Sequence, residues 1–252
     1  MSAAKSKTVA LIPARLQSSR LPRKALADIH GIPMIVHVYK RCLLAKHLDE
    51  VYVATDSDEI REAVESHGGR VIMTSTAHET GTDRIAEAAD RLDAEIVVNV
   101  QGDEALVNPE YIDRVVAALY DDPSVDVAIL VNPFNKRHST SDIKAVLNEH
   151  DDVMYFSRAD IPSDARTPNP PMLKAYHIVP FRKEFLLRYA AWDKGALERV
   201  EYNEYLRILE KGYRIRAVRV ESDALSVDTL EDLEYVRKKM LTDAYYPNYR
   251  LT

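Results

Sequence analysis

The sequence predicts an α/β fold in which a doubly wound, mostly parallel sheet is covered by helices on both faces, three layers in all. Three observations carry that prediction. Short apolar, β-branched runs without polar alternation recur through the first half, as strands buried on both faces do. Segments with apolar residues at helical spacing separate them, the order expected of βαβ units. Apolar residues make up 46% of the 252 and charged residues 29%, a composition that builds a core and does not suit intrinsic disorder.

Residues 8–12 (TVALI) read as the first buried strand. Ile35, Val38, Tyr39, Cys42 and Leu43 share one face of a helix over 33–45, with Pro33 in its first turn. A strand at 51–54 follows, and Asp56 with Glu59 marks a helix cap and a first-turn acid. Residues 70–73 form the third strand. Ile85, Ala88 and Ala89 place a helix over 81–91, and 95–100 (EIVVNV) is the fourth strand. Asn108-Pro109 opens a helix carrying Ile112, Val115, Val116 and Leu119, after which 125–131 is extended. Beyond that point the alternation stops. Strand-like stretches at 143–147, 153–157 and 173–179 are interrupted by a proline-rich exposed loop at 161–171. Helices return at 183–191 and 201–211, the second closed by Gly212, and 214–220 is a strand. Thr229 with Asp232 is a capping-box-like start for a last helix through Leu233, Val236 and Met240.

Charge and special residues narrow the function. Lys plus Arg number 34 against 40 Asp plus Glu, a net charge of -6. That balance argues against nucleic acid or an anionic membrane as partner and still allows a local basic cluster on a phosphate. A single cysteine, Cys42, excludes an internal disulfide and a cysteine zinc site, and the eight histidines show no paired ligand spacing. Residues 1–7 lack the apolar stretch of a signal peptide, and no run approaches the roughly 20 apolar residues of a membrane span, so a soluble, cytoplasmic protein is expected. The seven glycines form neither G-x-G-x-x-G nor G-x-x-x-x-G-K-[ST]. Phosphates, if bound, are held by side chains.

Ligands of parallel sheets bind beyond the carboxyl ends of the strands. The first strand exit runs through Arg15, Arg20, Arg23 and Lys24, four cations within ten residues; bidentate Arg and mobile Lys together can replace a glycine cradle for phosphate. The exit after 95–100 reads Gln101-Gly102-Asp103-Glu104. Gly102 allows close backbone approach, and a carboxylate there suits a Mg²⁺ bridging nucleotide phosphates. Near the end, Asp228 offers a second metal ligand beside the Thr229 cap. Each segment also admits a plainer role: a solvated basic loop, a helix-capping acid, and acids in the first turn of a helix.

Taken together these segments resemble a known family. Ala14-Arg15, Ser19-Arg20-Leu21-Pro22 with Lys24, Val53-Ala54-Thr55-Asp56, Met73-Thr74-Ser75, Gly81-Thr82-Asp83-Arg84, Val98 through Glu104, Tyr155-Phe156-Ser157-Arg158 and Val227-Asp228-Thr229 resemble the 3-deoxy-manno-octulosonate (Kdo) cytidylyltransferases, in family order over nearly the whole chain. The resemblance implies a GT-A-like nucleotide-diphospho-sugar transferase fold with a smaller antiparallel subdomain. In that organisation residues 1–252 are one nucleotidyltransferase domain, with 8–130 and 214–242 as the CTP-binding core and 131–213 as an acceptor-binding and dimerisation insertion. It implies a homodimer, and a Mg²⁺-dependent attack of a sugar-acid hydroxyl on the α-phosphate of CTP, with pyrophosphate leaving. Carried over by position, Arg15, Arg20 and Lys24 neutralise the triphosphate beside Ala14, and Asp103 and Asp228 hold Mg²⁺; Lys24, Arg15, Asp103 and Asp228 form the catalytic set. Thr74, Ser75, Gly81, Thr82, Asp83, Arg84 and Gln101 surround the cytidine. Arg158 faces the acid group of the anionic acceptor, with Lys174, Glu204 and Tyr205 nearby.

The acceptor half departs from the family pattern. Where K/R-H-x-G-[IV]-Y is usual, the chain reads Lys174-Ala175-Tyr176-His177-Ile178-Val179, and Tyr205 stands for a Gln. Arg23 replaces a Gly, Ala25 and Ala105 replace prolines, and Ser226 replaces the Gly before Val-Asp-Thr. Because a site built to hydrogen-bond one substrate rejects analogues lacking those groups, the expected acceptor is Kdo, a related 2-keto-3-deoxy sugar acid, or a smaller carboxylate or phosphonate. Arg158 and the extra Arg23 keep the site cationic. A nucleotide-sugar glycosyltransferase and a non-catalytic CTP-binding paralogue are the competing readings; retention of Lys24, Asp103 and Asp228 together argues against the paralogue. The D-x-D of Asp56-Ser57-Asp58 is read as a helix cap, Trp192 and the Tyr245, Tyr246, Tyr249 cluster as packing, and Ser18 and Ser19 lie in no nucleophile elbow.

Overall fold

Residues 7–18, 20–221 and 225–250 are described in the computed structural model. Along the chain, β1 (Thr8–Ala14) leads through a 3-10 turn at Lys24–Leu26 to a short hairpin of β2 (Asp28–Ile29) and β3 (Ile32–Pro33). Helix α1 (Met34–Cys42), β4 (Glu50–Thr55), α2 (Asp58–Glu65), β5 (Val71–Met73), α3 (Gly81–Asp90), β6 (Ile96–Val100) and α4 (Pro109–Asp121) follow. Then come β7 (Ala128–Phe134), β8 (Lys144–Leu147), β9 (Val153–Ser157), β10 (Met172–Tyr176), β11 (Ile178–Arg182), α5 (Lys183–Ala190), α6 (Ala196–Glu201), α7 (Leu206–Glu210), β12 (Arg216–Arg219) and α8 (Leu230–Met240). Residues 7–113 with 225–250 make one compact unit, and residues 114–221 make a second.

In the first unit β1 is buried at every position, which is why its sequence carries no polar alternation. It pairs in parallel with β4 on one side and β6 on the other, and β5 extends the sheet beyond β4, also in parallel. Ile35 and Val38 of α1, Ile60 and Val64 of α2, and Ile85, Ala88 and Ala89 of α3 are all buried. Each large aliphatic side chain so enclosed contributes about 1.5–3 kcal/mol through removal of its surface from water. The hairpin before α1 had no distinct signature: His30 and Gly31, at φ 54° and 84°, make its two-residue turn, the left-handed pair that joins strands most tightly.

Helix starts follow side-chain chemistry, with one correction. Thr229 caps α8 in a capping box with Asp232, as the sequence predicts. At α2, however, the cap is Ser57, whose hydroxyl accepts the Ile60 N–H at 3.4 Å. Asp56 is drawn away by Arg84, whose Nη2 donates to its carboxylate at 3.0 Å.

The second unit is built on a sheet of order β12-β7-β10-β8-β9. β7, β10, β8 and β9 pair antiparallel, while β12 runs parallel to β7. The single strand expected over 173–179 is two, β10 and β11, separated at His177. The helix expected over 201–211 is likewise two: Tyr202, in the left-handed region at φ 50°, closes α6, and α7 starts only at Leu206. Trp192 packs within this unit against Phe185, Tyr189 and Tyr213. No helix among the described residues is long and apolar enough to cross a membrane.

Candidate active site

Beyond the carboxyl ends of the first unit's strands lies a pocket of about 320 Å³. The exit of β1 supplies Ala14, Arg15, Arg20 and Lys24; the exit of β6 supplies Gln101, Gly102 and Asp103; the start of α3 supplies Gly81 and Arg84; and Asp228 arrives from the segment before α8. Parallel pairing aligns the strand ends, so residues distant in sequence open onto one space.

Lys24 is the centre of this arrangement. Its Nζ donates to Asp103 Oδ2 at 2.6 Å and to Asp228 Oδ1 at 3.1 Å, with 18% of its side chain exposed. Arg20 Nη2 reaches the same Asp228 oxygen at 2.9 Å. Burial pulls the Lys24 pKa down, but the two carboxylates outweigh it and hold the ammonium above its ordinary value. The Val227 N–H donates to the Asp103 carbonyl at 3.1 Å, and the Ser226 hydroxyl donates to buried Glu104, so the two aspartate-bearing segments are stitched together. Gly102 is required by close approach: a Cβ there would meet the Pro13 carbonyl oxygen at 2.9 Å.

Arg84 forms the opposite wall. It is buried, and its Nη1 donates to Thr74 Oγ1 at 2.6 Å while Nη2 holds Asp56. Thr74 and Thr82 are buried and do not line the pocket, whereas Ser75 lends its carbonyl to Arg84 at 3.4 Å. Arg15 is exposed at the mouth. Ser19 lies outside the described residues. Arg23 does not join the pocket. At φ 57° its side chain turns to an ion pair with Glu59, so the expected extra charge at the site is spent elsewhere on the surface. Sequence reasoning missed His78 and Thr80, which line the pocket between two segments that it did name.

Residues 9–215 match a family model described as cytidylyltransferase. Over 248 residues the chain is 43% identical to the 3-deoxy-manno-octulosonate cytidylyltransferase of Geobacter metallireducens, covering 93% of this chain and 98% of that one. The chain belongs to the cytidylyltransferase family. The relative of the same description from Geobacter sulfurreducens is 44% identical over 245 residues, covering 92% of this chain and 98% of its own. Among solved structures, CMP:2-keto-3-deoxy-manno-octonic acid synthetase complexed with CTP matches with a TM-score of 0.91 at 39% identity, over 94% of this chain and 99% of that one. The parallel-dominated α/β architecture is thus that of a nucleotidyltransferase.

The second unit of this cytidylyltransferase contains the four remaining candidates, and the side chains of Arg158, Lys174 and Tyr205 are already engaged. Arg158 donates Nε to the Glu201 carbonyl and Nη1 to the Thr140 carbonyl, both at 2.8 Å, and Nη2 to the Tyr202 carbonyl at 3.1 Å. These bonds take up most of the five guanidinium N–H donors of Arg158, so a two-point grip on an acceptor carboxylate competes with these carbonyls. Lys174 Nζ pairs with Asp142 at 2.7 Å. Tyr205 is buried, its ring stacked on His177 with centroids 5.8 Å apart, and the carbonyl of Glu204 accepts from the Tyr189 hydroxyl at 2.9 Å. Burial, with lesser contributions from Lys174 and Arg158, brings the His177 imidazole down to about 4, so it is neutral at physiological pH.

Proposed function

We propose that this cytidylyltransferase joins CTP to Kdo or a related 2-keto-3-deoxy sugar acid, that Mg²⁺ serves the reaction between Asp103 and Asp228, and that the working enzyme is a homodimer. The observation that carries the reading is the sharing of one ammonium, Lys24, by two aspartates inside a pocket walled by Arg15, Arg20 and Arg84. The names of the relatives support CTP and Kdo as its substrates.

The donor set fits Mg²⁺. Two carboxylates already converge on one cation, and the described residues include no cluster of three or more acidic, His or Cys ligands. Magnesium is held by one or two carboxylates with its remaining positions on phosphates and water, rather than by an all-protein cage. When bound, it neutralises phosphate charge and acidifies a coordinated hydroxyl.

The chain's own contribution is positioning and charge. Arg15, Arg20 and Lys24 receive the triphosphate, with Lys24 and Arg20 moving their charge from the aspartates to phosphate oxygens as these arrive. The acceptor hydroxyl oxygen forms a bond to the α-phosphorus while the bond to the bridging oxygen of the β-phosphate breaks. Pyrophosphate leaves with that electron pair, and the hydroxyl proton passes to solvent. Holding the two reactants in line and stabilising the charge on the phosphoryl oxygens supply most of such a rate enhancement.

One observation favours a second reading, in which a smaller acid or a phosphonate is the acceptor. Ala175 is buried in β10, and Tyr205 is stacked on His177 rather than offering a Gln amide, so fewer polar partners face a polyhydroxylated sugar. A pyrophosphate-release screen of CTP, UTP and dTTP against Kdo, its amino analogue, sialic-type acids and small phosphonates separates the two. Release with CTP and Kdo is the expected result. Release with a phosphonate alone favours the second reading, and release with no acid at all refutes both.

A further inference from the structure

Glu87 of α3 stands outside every motif considered so far, yet it bonds His78, which lines the pocket. Its Oε2 accepts the Ser75 N–H at 2.9 Å and also bonds His78 Nε2, while Oε1 takes Arg91. Arg91 in turn donates Nη1 to the Met73 carbonyl at 2.7 Å. One carboxylate therefore ties the beginning and the end of the 75–78 loop to the helix. Between those ties Thr76 and Ala77 are exposed, so the loop has little apolar packing to hold its shape. Arg84, three residues before Glu87 and hence on the same side of α3, grips Thr74 just before the same loop. His78, at the far end, lines the pocket.

We infer that Glu87 is a positioning residue for the nucleotide: by fixing His78 and the Ser75 backbone it presets the wall that receives the cytidine end of CTP. The inference rests on the CTP reading of this pocket. Glu87 is suited to the task because it acts as a charged acceptor throughout the physiological range. The Ser75 N–H, then His78, hold its carboxyl below the usual carboxylate value despite an opposing contribution from burial. Preorganisation of this kind lowers the ordering cost of binding and leaves the chemical step untouched.

The test is calorimetric titration of CTP in the presence of Mg²⁺, with wild type, Glu87→Gln and Glu87→Met, each also melted thermally and assayed for pyrophosphate release at saturating CTP. Glu87→Met is expected to weaken CTP binding about tenfold, the sum of the two bonds lost to the loop, at Ser75 and His78, less what water restores. Turnover at saturation stays within about twofold. Glu87→Gln recovers most of the affinity, because its amide oxygen still accepts the Ser75 N–H. Unchanged CTP affinity in Glu87→Met overturns the inference. So does a loss of affinity that Glu87→Gln fails to rescue and that tracks a lowered melting temperature, which marks a purely structural role. A wild-type protein that does not bind CTP overturns the underlying reading as well, so the two failures are distinguishable.

Discussion

The pocket-bearing unit and the antiparallel unit treat their cations differently. In the first, Lys24 and Arg20 face carboxylates that line an open cavity, partners a phosphate can replace. In the second, Arg158 is bound to the backbone carbonyls of Thr140, Ser141, Glu201 and Tyr202, and Lys144, fully buried, to those of Ser139, Asp142 and Arg158. An arginine in the sequence therefore has two possible meanings, and the partner decides. Carboxylates lining a pocket mark exchangeable charge, while backbone carbonyls of neighbouring loops and helix ends mark a staple.

Mutations can break or sharpen this contrast. The largest effect belongs to the shared cation position: Asp103→Asn and Asp228→Asn should each lower turnover at saturating CTP by about 10²–10³-fold, the scale of losing one preorganised electrostatic group, with melting temperature little changed. Steady-state pyrophosphate release checks this, and near wild-type rates would remove the distinction at its strong end. Next comes acid. His37 is fully buried, bonded to the Ile29 carbonyl and the Tyr249 hydroxyl, and burial holds it down to about 4. The unfolded chain takes up that proton near pH 6.5, so stability is complete above this value and falls as pH drops toward 4, by up to about 3 kcal/mol. Urea titrations at pH 7 and pH 4.5 measure the loss, and His37→Gln should remove only its own share, because buried His177, also held down to about 4, loses stability over the same range. Arg158→Met should destabilise the antiparallel unit by about 2 kcal/mol through its orphaned carbonyls. If instead the acceptor KM rises with stability intact, Arg158 is a ligand and the contrast fails at that residue. The smallest effect is at Arg23. Arg23→Gly relieves a left-handed conformation and loses an exposed ion pair, a net change within about 1 kcal/mol, and CTP affinity stays the same.

These contrasts also explain what the sequence could disclose. The parallel sheet was legible because β1, β4 and β6 are mostly apolar and β-branched, and Lys24 and Asp103 were legible because strand exits in such sheets face one crevice; Asp228, before α8, was legible as a metal ligand only through the family resemblance. Ser57 displaced Asp56 as a cap because Arg84 competes for the carboxylate, a partner far away in the chain. The split at Tyr202 depends on a left-handed residue that carries no compositional mark. Glu87 carried no mark in the sequence: its i,i+4 bond to Arg91 is of an ordinary helical kind, and its bond to the Ser75 backbone has no sequence signature. The same blindness applies to Arg158, since backbone carbonyls are present at every position.

On the proposed function, Asp103 and Asp228 would hold a divalent ion in place of the Lys24 ammonium once CTP is bound. Electron paramagnetic titration of Mn²⁺, used as a probe for Mg²⁺, with and without CTP, tests it directly in wild type and Asp228→Asn. CTP is expected to tighten Mn²⁺ binding to the wild-type protein, and the substitution to weaken the ternary complex by at least about tenfold. Equal Mn²⁺ affinity in the two proteins with CTP present would contradict it.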